Sequence, residues 1–123
     1  MARIDKYNPV SGGFRAPLNV AYVGSANPVG VGINGTGKVV VGGGVTGVIG
    51  VICLPLSKNA GDIVDVMTDG EIVQAGLVAG TLYTANSTTG AITSAAPSAT
   101  QTPVGWTVEA DRLIVRAQRG LIV

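Results

Sequence analysis

The chain has 123 residues, a net charge of +1, one cysteine and no histidine, so the commonest general base and metal ligand are missing and neither an intrachain disulfide nor a Cys cluster can form. The near-neutral charge removes any general attraction to nucleic acid or anionic lipid, and no stretch approaches the length of a membrane span. Charged residues are 12% of the chain while apolar residues are 46%, a balance too apolar for disorder and charge-poor enough to suit a folded protein covered by partners.

Residues 1–28 carry Pro9, Gly12-Gly13, Pro17 and Pro28 among apolar residues without period. Proline and glycine at this density oppose a long helix. Ile4, Tyr7, Phe14, Leu18 and Tyr22 are too apolar for a solvated tail, and Arg3, Lys6 and Arg15 outnumber the single acid Asp5. The segment reads as an extended arm that packs either on this domain or on a neighbouring protein, with Arg3, Ile4, Tyr7, Phe14 and Arg15 as candidate contacts. Residues 29–123 read as one β domain. The first residues lack the apolar core of a signal peptide, so the chain is expected to be made and kept in a cytoplasm.

Val29–Ile33 leads through Asn34-Gly35-Thr36-Gly37 into Lys38–Val41. Val48–Leu54 is a β-branched run that reads as a strand buried on both faces and closed by Pro55. Cys53 lies in that run and is expected to be a buried small hydrophobe. Asp62–Ala75 reads as a hairpin, with Asp69-Gly70 as a type I′ turn and Gly70 at positive φ. A second hairpin joins Thr81–Ala85 to Ala91–Thr93, and Ser94–Pro103 reads as a surface loop. The last hairpin joins Val104–Glu109 to Arg112–Gln118 through Ala110-Asp111. Short strands at this spacing predict an all-β fold, a small β-barrel or sandwich of short antiparallel strands with an extended N-terminal arm.

Two motifs imitate nucleotide sites. Gly32-Ile33-Asn34-Gly35-Thr36-Gly37-Lys38-Val39 approaches a phosphate-binding loop, but Val39 stands where Ser or Thr must reach magnesium, and no helix follows. Gly30-Val31-Gly32-Ile33-Asn34-Gly35 fails as a dinucleotide fingerprint for the same reason. The carboxylates Asp62, Asp65, Asp69 and Glu71 read as solvated charges, because period two sends Asp62 and Asp65 to opposite strand faces. Without histidine no serine or threonine has an evident activating base. The chain is therefore expected not to be an enzyme and to hold no metal or cofactor.

On the closing hairpin, Trp106 alternates with Val104 and Val108 and is expected to point into the core, the functional alternative being an interface anchor. Leu113, Val115 and Ala117 share one face, while Arg112, Ile114, Arg116 and Gln118 share the other. With Arg119 the arginines form a short basic stripe, a solvated face or a docking surface for an acidic protein partner. Aromatic residues do not interleave with it, so single-stranded nucleic acid is not expected.

Gly61-Asp62-Ile63-Val64-Asp65-Val66-Met67-Thr68-Asp69-Gly70-Glu71-Ile72-Val73 resembles the central segment of tailed-bacteriophage capsid cement proteins, also called head decoration proteins. Gly47-Val48-Ile49-Gly50-Val51, Ala79-Gly80-Thr81-Leu82-Tyr83, Gly90-Ala91-Ile92-Thr93 and Val104-Gly105-Trp106-Thr107-Val108-Glu109 extend the likeness over roughly Val39 to Arg116. The resemblance rests on spaced Gly and Val positions and implies a β-barrel-like subunit on the outer surface of a phage head. Such subunits commonly assemble as homotrimers and clamp the major capsid protein. Two other readings remain open: a phage tail or fibre subunit, and a small carbohydrate-binding module.

Overall fold

The computed structural model describes residues 12–117. Valine, isoleucine and threonine recur between glycine-rich turns, and the chain answers with ten short strands. These are β1 (Gly13–Pro17), β2 (Val29–Ile33), β3 (Val39–Val41), β4 (Gly50–Ile52), β5 (Ile63–Met67), β6 (Asp69–Val73), β7 (Leu82–Asn86), β8 (Ile92–Thr93), β9 (Gln101–Glu109) and β10 (Arg112–Arg116). They form two five-stranded sheets in the orders β1-β5-β4-β2-β3 and β6-β10-β9-β7-β8. Every ladder between named strands is antiparallel. The all-β expectation holds: the two sheets pack together as a small sandwich.

The first sheet curls. Beyond β1, Leu18 bridges Val39 of β3, and the Asn19 N–H donates to the Val39 carbonyl at 2.9 Å. Leu18, Val31, Val39, Ile52, Val64 and Val66 form one buried cluster within this curl. A second cluster joins the sheets through Val48, Val51, Ile72, Tyr83, Ala85, Val104, Leu113 and Val115. β4 is buried along its whole length because Val51 belongs to one cluster and Ile52 to the other. This is the two-sided burial that its uninterrupted apolar run implies.

Three local hairpins form where expected: β2–β3, β7–β8 and β9–β10. The first contains the imitation phosphate loop. There the Asn34 Oδ1 accepts hydrogen bonds from the N–H groups of Thr36 at 2.9 Å and Lys38 at 3.0 Å. An asparagine side chain closing its own turn thus uses backbone donors that a phosphate would need. The surface loop is shorter than expected, because Gln101–Pro103 already belong to β9.

Two expectations need correction. Asp69-Gly70 makes no hairpin turn. β5 pairs with β1 and β4 in the first sheet, β6 pairs with β10 in the second, and the chain changes sheets at Thr68. Gly70 is not among the glycines at positive φ. Two five-residue ladders with distant partners replace one local turn. Cys53 is exposed. β4 ends at Ile52, one residue before it, so the apolar run outlasts the strand.

The segment 1–28 is extended over part of its described length, and that part is built into this domain. β1 pairs with β5 over Gly13–Pro17. Farther on, Tyr22 and Lys58 exchange backbone hydrogen bonds at 2.8 and 2.9 Å.

Candidate protein-interaction face

The second sheet turns one face to the inter-sheet core and the other outward, and irregular pairing decides which side chains face out. Along β7–β9, Tyr83 pairs with Gly105 but Thr84 pairs with Pro103, so Val104 is an extra residue in β9. Such a bulge resets the alternation of the strand. Val104 and Thr107 are buried, whereas Trp106 and Val108 face out, Trp106 with 41% of its surface exposed. The expectation of a core tryptophan is therefore corrected. A strict period of two carried Trp106 inward with Val104, and the bulge carries it outward.

Thr107, now inward, needs hydrogen-bond partners. Its Oγ1 donates to the Val78 carbonyl and accepts from the Thr81 N–H at 3.1 Å. This ties the loop before β7 to β9.

On the outer face, cross-strand register sets Leu82, Trp106, Ile114 and Glu71 in one row across β7, β9, β10 and β6. Leu82 and Trp106 are exposed and Ile114 is half-buried. Val73, opposite Arg112, is 85% exposed. The Arg116 guanidinium lies 6.0 Å from the Trp106 ring centre, within cation–π range.

The division of β10 into an inward Leu113–Val115 face and an outward Arg112–Ile114–Arg116 face is as expected. The arginines, however, are not free. Arg112 reaches Glu109 at 3.4 Å and Glu71 at 3.7 Å. Arg116 is paired with Asp69. These pairs are partly exposed, so they orient side chains more than they stabilise the fold. Arg112 Nε is shielded from solvent with no acceptor among the described residues.

Of the arm candidates, Arg15 pairs with Asp65 at 2.7 Å on the surface of the first sheet, far along the chain from the arginine stripe. Phe14 packs against the first core cluster. Arg3, Ile4, Tyr7 and Arg119 lie outside the described residues. The structure thus brings Arg112 and Arg116 together, joins them to Trp106, and places Phe14 and Arg15 on the other sheet.

A separate cleft of about 380 Å³ opens beside β5, lined by Phe14, Val51, Cys53, Ile63, Met67 and Ile72 among others. Near it, burial and then the Cys53 thiol hold the Tyr22 phenol above its ordinary pKa.

No family model matches the sequence, and no curated protein matches it. Among solved structures, a chain from Mycobacterium phage Patience matches with a TM-score of 0.78 and 18% identity, over 93% of this chain and 95% of that one. At that identity the likeness is one of fold, and it runs through both sheets.

Proposed function

We propose that this chain is a structural protein of a phage virion, a decoration subunit that binds the outside of the head and links neighbouring copies of the major capsid protein. The observation that carries the reading is the near end-to-end likeness to a chain from a phage. The sequence resemblance between Val39 and Arg116 supports it independently, because it rests on residues and not on shape. The low charge of the chain supports it as well, since interface cores are depleted in charge. On this reading the protein binds and does no chemistry, and it self-associates as a homotrimer. The basic, apolar stretch Arg3-Ile4-Asp5-Lys6-Tyr7 contributes to the grip on the shell.

Co-sedimentation with purified heads that lack their decoration protein tests this. Full-length chain should bind saturably to heads and not to isolated tails. Deletion of residues 2–11, which leaves β1 intact, should weaken binding by about tenfold or more. Binding to tails alone, or to neither, would sink the head assignment. A truncated chain that binds as well as the full one would remove the N-terminal stretch from the interface.

A further inference from the structure

Read from the sequence, Arg112 and Arg116 suit an acidic partner. Their surroundings reverse the sign. Arg112 is shared between Glu71 and Glu109, and Arg116 is held by Asp69. Asp111, exposed in the turn next to them, has no cation at ion-pair distance among the described residues. Among the described residues, two guanidinium groups therefore share this face with four carboxylates, a negative surplus. Through its middle runs the apolar row Leu82, Trp106 and Ile114, flanked by the well-exposed Val73 and Val108. An exposed tryptophan among aliphatic groups, with arginines at its edge, has the composition of an interface anchor.

We propose that this face binds an extended segment of a neighbouring protein subunit in which apolar side chains alternate with lysine or arginine. The apolar side chains cover Trp106 and Ile114. The cations meet Glu71, Glu109 and Asp111, each of which has carboxylate capacity that Arg112 alone does not fill. The reading of the chain as a head-binding subunit supplies the identity of the neighbour, and only that. The chemistry of the site stands on the face itself.

Trp106 is the sole tryptophan, so its emission reports on the face of the full-length chain. A synthetic alternating Lys-Leu peptide, titrated at low salt, should shift that emission saturably. An alternating Glu-Leu peptide should not. The double substitution Glu71→Gln with Glu109→Gln should weaken the Lys-Leu response about threefold or more, because neighbouring charges set the sign of the fit. Equal responses to both peptides, or no effect of the double substitution, would overturn the proposal.

Head binding supplies the second arm. Trp106→Ala should bind decoration-free heads about tenfold more weakly, and it should melt close to wild type because the ring faces outward. If the variant binds heads as the wild type does, this face is not the docking surface. If the Lys-Leu peptide binds as described while the wild-type chain ignores heads, the face stands and the head assignment falls.

Discussion

Gly32 has no room for a side chain. A Cβ there would meet the carbonyl oxygens of Gly43 and Gly47, both backbone atoms that cannot swing aside. At Gly30 it would stand 2.5 Å from the Ala85 Cβ and 3.0 Å from Val48 Cγ1. The glycines that imitate a dinucleotide fingerprint thus serve close packing of β2 against the loop after β3 and against β7. Gly32→Ala should lower stability by about 1–3 kcal/mol, the usual cost of overpacking. Urea unfolding of the variant measures this, and an unchanged midpoint would contradict it. The glycines themselves are plain in the sequence. What approaches them is not, because Gly43 and Ala85 reach β2 only through the tertiary fold. Cys53 teaches the same point from the other side: its neighbours in sequence are apolar, but its exposure follows from where β4 stops.

Elements with local partners were legible, and those with distant partners were not. The turn residues of β2–β3, β7–β8 and β9–β10 announce their hairpins, since each turn is complete within a few residues. β5 and β6 pair instead with β1 and β10, and nothing within Asp62–Val73 names those partners. The bulge at Val104 was likewise invisible, because it arises from the register against β7. That bulge has an energetic signature. Thr107 is buried only because of it, and Thr107→Val would leave the Thr81 N–H and the Val78 carbonyl without their side-chain partner. The expected loss is about 1–3 kcal/mol, since a buried group that loses its hydrogen bond bears its desolvation cost. Denaturant unfolding with an unchanged slope checks it. Wild-type stability in that variant would mean that the loop before β7 is held by other contacts.

Charge is unevenly distributed over the whole molecule. No charged residue occurs between Lys38 and Lys58, or between Glu71 and Glu109. The acids of the described residues fall within Asp62–Glu71 and Glu109–Asp111, on and around β5, β6 and the β9–β10 turn. The cations Arg15, Arg112 and Arg116 answer them there. Low overall charge is visible in the composition, but the pairing of these acids with arginines needs the fold, which brings β1 beside β5 and β6 beside β10. The site was legible only in part for this reason: the sequence offers the arginines, and the fold supplies the carboxylates and the outward tryptophan that change what they can bind. A protein with such long uncharged stretches suits a place among other subunits, since interface cores are depleted in charge.

Electron cryo-microscopy of heads incubated with the purified chain tests that placement. Density for this two-sheet fold is expected on the outer surface of the shell, at contacts between capsid subunits, with the Trp106 face against a neighbouring protein segment. Bare heads under saturating chain, or density confined to the tail, would contradict it.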